Sequence, residues 1–174
     1  VPWGGVTSVG SQFLHQDSPG ISGVAEDGDS FAWSLSSGDY DGDGFSDLAI
    51  GVPFEDIGSI VEAGCINVIY GSPDGLSSVG NQFIHQDTVG IQGVAEGLDR
   101  FGYSLASGDF DHDGYTDLVV GVPWEDLGSL SDAGVAHVIP GSPTGLTDID
   151  DQLWSQEAPS VLGLSESGDR FGFG

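Results

Sequence analysis

The sequence predicts an all-β fold assembled from a repeated four-stranded unit. Three observations carry that expectation. One spacing of seventy residues runs through the 174-residue chain without insertion or deletion. Short apolar or alternating runs recur inside each unit, bounded by glycine, proline and serine turns. No segment carries a sustained helical period.

The register is carried by particular residues. Phe31, Phe101 and Phe171 are seventy apart, as are Asp29, Asp99 and Asp169, and Glu26, Glu96 and Glu166. Gln12-Phe13 matches Gln82-Phe83 and Gln152-Leu153, and His15-Gln16-Asp17 matches His85-Gln86-Asp87. Gly51-Val52-Pro53 returns as Gly121-Val122-Pro123, and Gly71-Ser72-Pro73 as Gly141-Ser142-Pro143. Internal repetition at a fixed period is the signature of propellers, solenoids and arrays.

Within a unit, Phe31-Ala32-Trp33-Ser34-Leu35 alternates and predicts a strand leading into an acidic stretch. Asp47-Leu48-Ala49-Ile50-Gly51-Val52 is a nearly continuous apolar run, as expected of a buried strand. Pro53 follows it directly, where a missing backbone donor ends pairing. Residues 56–64 and 126–134 read as exposed loops. Cys65-Ile66-Asn67-Val68-Ile69-Tyr70 predicts a third strand, between Gly64 and the Gly71-Ser72-Pro73 turn. Gln82-Phe83-Ile84-His85-Gln86 predicts a short, more polar fourth. Four strands per repeat with glycine-rich turns predict a β-propeller blade. An open solenoid would have shorter repeats, and a sandwich would not explain the period. The predicted organisation is a partial repeat over 1–30, repeats over 31–100 and 101–170, and the start of another at 171–174. Residues 1–34 and 141–174 occupy the same phase, and a ring needs at least about four blades to close. The expectation is therefore a segment of a larger propeller, or blades assembled in trans from several copies, with edge strands inviting a homo-oligomer or filament.

Charge narrows the partners. There are 28 acidic residues against two basic ones, Arg100 and Arg170, for a formal net charge of −26. An anionic surface of this strength argues against nucleic acid and anionic membrane as partners. Hydrophobic and aromatic content is ordinary, so the chain is expected to fold despite its charge. The single cysteine, Cys65, excludes a disulfide framework, and its repeat counterpart Val135 marks it as a buried hydrophobe. No apolar run is long enough to span a membrane, and the start Val1-Pro2-Trp3 does not read as a signal peptide.

The chemistry is concentrated in one loop per repeat. Asp39-Tyr40-Asp41-Gly42-Asp43-Gly44-Phe45-Ser46-Asp47 recurs as Asp109-Phe110-Asp111-His112-Asp113-Gly114-Tyr115-Thr116-Asp117. Carboxylates stand at loop positions 1, 3, 5 and 9 with glycine at position 6. So many acids in so short a span repel one another unless a hard cation holds them. Calcium takes six to eight oxygen ligands in flexible geometry. The expected ligands are Asp39, Asp41, Asp43, the Phe45 carbonyl and Asp47 in one site. Asp109, Asp111, Asp113, the Tyr115 carbonyl and Asp117 are expected in the other. Gly44 and Gly114 permit the sharp turn. Magnesium usually retains several waters, and zinc would want His or Cys. An EF-hand needs a glutamate at position 12, where this chain has Ile50 or Val120 inside an apolar run.

Phe101-Gly102-Tyr103-Ser104-Leu105, the acidic loop, and Asp117-Leu118-Val119-Val120-Gly121-Val122-Pro123 together resemble the FG-GAP repeat. Phe31 through Pro53 resembles it too, with Ala32 in place of a glycine, and Gly64 through Gly71 resembles its end. The resemblance to this repeat of integrin α-subunits and bacterial secreted proteins implies a seven-bladed, calcium-binding propeller. It implies an extracellular, secreted or cell-surface setting, and a non-enzymatic role in adhesion or in binding a protein or glycan. Neighbouring blades, of the same or another copy, are further expected partners. Two other roles fit the same resemblance: a structural repeat in an extracellular fibre or array, and an accessory propeller of a secreted hydrolase.

Other residues invite functional readings that the pattern does not favour. His15 and His85 precede Gln-Asp, yet no repeated nucleophile accompanies them, so strand-edge histidines are expected. His137 falls in an apolar strand and reads as structural. Glu55-Asp56 and Glu125-Asp126 recur in each repeat, unlike a single pair of catalytic carboxylates, and read as exposed turn acids. Arg100 and Arg170 are expected to pair locally with Asp99 and Asp169. Trp3, Trp33, Trp124 and Trp154 share no single phase and read as packing residues, with a sugar-stacking role left open.

Overall fold

The computed structural model describes residues 10–159 and 161–174. Trp3 lies outside them. Two four-stranded antiparallel sheets stand side by side, each a meander in chain order. The first holds β1 (Ser34–Gly38), β2 (Asp47–Val52), β3 (Cys65–Tyr70) and β4 (Ser77–Ile84). The second holds β5 (Ser104–Gly108), β6 (Asp117–Val122), β7 (Val135–Ile139) and β8 (Gln152–Trp154). The register repeats as the sequence does: Ser34 faces Gly51 and Ser104 faces Gly121, while Val52 faces Cys65 and Val122 faces Val135. These are two blades of a β-propeller.

The apolar runs form β2, β3, β6 and β7 because both faces of those strands are covered. Val52, Cys65, Val68, Val120, Val122 and Val135 are all fully buried. One core cluster joins the blades, with Tyr40, Ala49, Ile66 and Val68 of the first against Leu118, Val120 and Ile139 of the second. A second cluster, Ile21, Ile50, Val52, Cys65 and Ile69, lies on the other side of the first sheet. Burying each such side chain contributes about 1.5–3 kcal/mol before the entropy of ordering it. Cys65 is a free, buried thiol, and burial pushes its pKa up, so it packs and does not react.

Two expected strand limits shift. Phe31-Ala32-Trp33 is a turn, and β1 begins at Ser34. Ala32 has φ +68, a left-handed backbone outside any strand, and its counterpart Gly102 has φ +86. The fourth strand starts earlier than expected, at Ser77, and ends at Ile84. His85 and Gln86 leave it because Thr88 caps the chain there: its hydroxyl accepts the His85 N–H at 3.0 Å and its N–H donates to the His85 carbonyl at 2.8 Å. His15 and Ser18 repeat the first of these bonds at 2.9 Å, so both histidines are turn residues, not strand-edge ones.

The blades are stapled at three levels. Near the acidic loops, Thr116 N–H donates to the Asp39 carbonyl at 3.0 Å and Ser142 N–H to the Tyr40 carbonyl at 3.1 Å. In the middle, Ser36 and Ser107 share a hydroxyl hydrogen bond of 2.6 Å, and Tyr40 Oη meets Ser107 at 2.7 Å. At the far end, Ser34 donates to the Gly102 carbonyl at 2.7 Å, and Gly64 forms a parallel bridge with Phe101. The 56–64 loop is therefore more than an exposed excursion. Ile57 and Ile60 close it on itself, and its end accepts N–H groups of the segment leading into the next blade, Leu98 to Val61 and Phe101 to Ala63.

Candidate metal and binding sites

The two acidic loops lie between β1 and β2 and between β5 and β6, at the same end of both sheets. Each is wound around its own carboxylates. Asp39 Oδ2 accepts the Gly44 N–H at 3.0 Å, Asp41 Oδ1 the Asp43 N–H at 3.1 Å, and Asp43 Oδ1 the Phe45 N–H at 2.8 Å. In the second loop Asp111 accepts from Asp113 at 3.0 Å and Asp113 from Tyr115 at 2.9 Å. Gly42 and His112 occupy the same left-handed position, φ +71 and +65, and His112 is exposed. It is the solvent-facing spacer that the comparison with Gly42 predicts.

The loops gather different subsets of the expected ligands. Asp39, Asp41 and Asp43 bring carboxylate oxygens within 4.8 Å of one another, as do Asp109, Asp111 and Asp117. Asp47 and Asp113 stand outside these trios. Asp47 is buried and directs both oxygens to backbone N–H groups, Tyr40 at 2.7 Å and Gly71 at 2.7 Å. Asp117 does the same with Phe110 at 2.8 Å and Gly141 at 3.0 Å, while also joining its trio. Each carboxylate oxygen has a second lone pair, so this anchoring leaves ligand capacity. Phe45 is partly exposed, and the Tyr115 ring lies against Gly42 of the first loop, where a Cβ would meet it at 2.5 Å.

In the first loop, electrostatics oppose the close approach of the carboxylates. Burial and the charges of Asp43 and Asp39 push the Asp41 carboxyl up, against a backbone hydrogen bond that lowers it. Burial also raises Asp47, with Asp41 and Asp39 adding to it and the Gly71 and Tyr40 N–H groups opposing. Asp39 Oδ1 is a buried carboxylate oxygen with no hydrogen-bond partner. A donor set of carboxylate oxygens, one orphaned in a crowded anionic loop, fits a hard divalent cation.

A second constellation lies at the opposite end of the sheets. Trp33, Tyr103 and Phe173 share one phase of the repeat, and Phe54 and Trp124 another. Their rings form a row: Trp33 meets Phe54 and Tyr103 at 5.3 Å, and Tyr103 meets Trp124 at 4.8 Å and Phe173 at 5.0 Å. Trp33 and Phe173 remain 49% and 48% exposed, so the row reaches the surface. Counting tryptophans alone hides this row, whereas comparing aromatic residues of any kind at seventy-residue spacing reveals it. The arginines also find other partners than expected. Arg100 binds Glu62 through Nη2 at 2.7 Å and Nε at 3.1 Å, and Arg170 lies 3.8 Å from Asp132. Asp99 and Asp169 instead accept the N–H of Glu96 at 2.6 Å and Glu166 at 2.7 Å, closing their own turns.

The acids after Gly-Val-Pro differ from the expected exposed pair. Glu55 is buried and accepts a 2.6 Å hydrogen bond from Gln16. Glu125 accepts one of 2.7 Å from Gln86. Burial pushes Glu55 up to about 7, with Asp29, Glu26 and Asp56 adding to it against the Gln16 bond. The glutamine of each His-Gln-Asp is thus the structural member. The adjacent aspartate, Asp17 or Asp87, accepts the N–H of Ala25 or Ala95. His137 is fully buried in β7, with Nδ1 3.1 Å from Asp151. Trp154 lines a cavity of about 350 Å³ with Phe110, Val119 and Val138 and with the loop acids Asp111 and Asp117.

The FG-GAP repeat family matches residues 31–64 and 101–139. Integrin alpha-3 of Cricetulus griseus is 35% identical over 118 residues, which is 67% of this chain and 10% of that protein. Integrin alpha-5 of Xenopus laevis is 36% identical over 148 residues, 79% of this chain and 13% of that protein. Phosphatidylinositol-glycan-specific phospholipase D of Mus musculus is 34% identical over 116 residues, 65% of this chain and 13% of that protein. The chain spans about a tenth of the length of these relatives.

Proposed function

Because this chain is an FG-GAP repeat protein of the integrin α-like kind, we propose that it is a calcium-stiffened binding module of the cell surface or extracellular space. The carrying observation is the pair of carboxylate trios, Asp39-Asp41-Asp43 and Asp109-Asp111-Asp117. Asp47, Asp113 and the main-chain carbonyls of Phe45 and Tyr115 complete the ligand sets. Calcium supplies positive charge that the loops lack, and each ion ties two strands of a blade together. Its role is structural, and this module carries no catalysis. The aromatic row at the other end is the surface offered to a protein or glycan ligand, while the open sheet faces meet neighbouring blades of the same or another copy. Similarity to a phospholipase D favours one further reading, a propeller attached to a hydrolase.

Calcium removal tests the reading. Excess chelator should lower the melting temperature, and restored calcium should raise it again. Asp43→Ala and Asp113→Ala should each weaken calcium binding by at least about tenfold, measured by calorimetry. A melting curve indifferent to chelator and calcium would overturn the proposal.

A further inference from the structure

The first acidic loop is gripped by the second. Thr116, at position 8 of its loop, holds both main-chain groups of Asp39, at position 1 of the loop before it. The Thr116 N–H donates to the Asp39 carbonyl at 3.0 Å, and the Thr116 hydroxyl accepts the Asp39 N–H at 3.1 Å. The next carbonyl, that of Tyr40, accepts the Ser142 N–H at 3.1 Å. The fit leaves no slack. A Cβ on Gly38 would meet the Thr116 methyl at 2.4 Å, and one on Gly42 would meet the Tyr115 ring at 2.5 Å.

Thr116 itself lies between two expected ligands of its own loop, the Tyr115 carbonyl and the Asp117 carboxylate. Asp117 is only 2% exposed and is fixed by the Phe110 and Gly141 N–H groups. Whatever orders residues 115–117 therefore also sets the backbone of Asp39. The two loops differ in step with this clamp. Asp39 is half-buried, and its Oδ2 accepts the Gly44 N–H at 3.0 Å. Asp109 is exposed, and among the described residues nothing holds its main chain as Thr116 holds that of Asp39. The clamped loop gathers the carboxylates of positions 1, 3 and 5, and the unclamped loop those of positions 1, 3 and 9.

We propose that Thr116 is a positioning residue for the loop before it, and that the two loops bind calcium cooperatively through it. A second loop closed around its ion holds residues 115–117 in place, so ordering Asp39 costs less entropy when the first loop binds. The coupling runs both ways, as any linkage between binding equilibria must. Asp39 is the ligand through which it acts. Its Oδ1 is buried without a hydrogen-bond partner, so the placement of Asp39 decides whether that oxygen meets an ion. The inference rests on the calcium reading given above and adds a dependence of one site on the other.

Calcium titrations of the whole chain followed by NMR test this, with the Gly44 amide reporting the first loop and the Gly114 amide the second. Asp111→Ala removes an expected ligand of the second loop alone, and it should move the Gly44 midpoint to about fivefold higher calcium or more. Asp113→Ala serves if that variant does not fold. Thr116→Val keeps a methyl beside Gly38 and removes the hydroxyl. It should weaken the first site and shrink the effect of Asp111→Ala on Gly44. Thr116→Ser keeps the hydroxyl and should restore both. A hydroxyl that merely stabilised the seam would lower the melting temperature in chelator and leave the effect of Asp111→Ala unchanged. That result, or a Gly44 midpoint that Asp111→Ala leaves within about twofold, would overturn the coupling. Independent saturation of the two amides would remove this inference and leave the calcium reading standing. No saturable response at either glycine, with a melting curve indifferent to calcium, would remove both.

Discussion

Glu55 and Asp99 stand out among single residues because both hold a proton unusually well. Burial pushes each to about 7, with neighbouring carboxylates adding to it. Both bind protons more tightly in the folded chain than in the unfolded one, where carboxyls titrate near about 4. Between those values the native state carries more protons, so their contribution to stability falls as pH rises and is fully lost above about 7. Glu55→Gln and Asp99→Asn should flatten that fall and raise the melting temperature at pH 8, by about 2–4 °C per kcal/mol recovered. Thermal melts of calcium-free protein across pH 4.5–8 check this, because under the proposed calcium role the loop carboxylates would need to be deprotonated to hold the ion and would oppose the trend. The convergence of acids in each loop was legible in the sequence from their spacing. The burial of Glu55 was not: it comes from Gln16, thirty-nine residues earlier in the chain, and no local pattern announces that contact.

Among the elements, the second strand of each blade is the most constrained. β2 and β6 are packed on both faces and crossed at one point by backbone from the next repeat. A Cβ on Gly51 would lie 2.1 Å from the Gly102 carbonyl oxygen, and one on Gly121 would lie 2.0 Å from that of Gly172. Backbone cannot yield there as a flexible side chain would. Gly51→Ala should therefore cost about 3 kcal/mol or more, read from urea denaturation. A change under 1 kcal/mol would show that the blades are not held this closely. Such buried strands were predicted almost to the residue because an apolar run has only one place to go. The inner and outer strands were less legible. Ala32 and His85 continue an acceptable strand pattern, and only a left-handed φ or a Thr88 cap takes them out of it.

Across the whole molecule, charge is the dominant feature that the fold must contain. The formal net charge is −26, and the two arginines are both held at the aromatic end, opposite the acidic loops. Two calcium ions would offset only four of those charges. Self-repulsion therefore destabilises the compact state, and salt should relieve it. The melting temperature of calcium-free protein should rise between roughly 0.01 M and roughly 0.5 M sodium chloride, and the rise should shrink once calcium is bound. A flat response in both states would show that the charges are too dispersed to matter. The repeat itself was fully legible, whereas the aromatic row was not, because different ring types occupy its equivalent positions.

The seam between repeats has a further consequence. Phe101 N–H bonds to the Ala63 carbonyl at 2.8 Å, and Phe171 N–H bonds to the Ala133 carbonyl at 2.9 Å. The two acceptors are interchangeable, as are the two donors. Joining blades in the seventy-residue phase therefore brings a matching donor to a matching acceptor. At this seam the backbone bonds alone do not dictate which blade follows which.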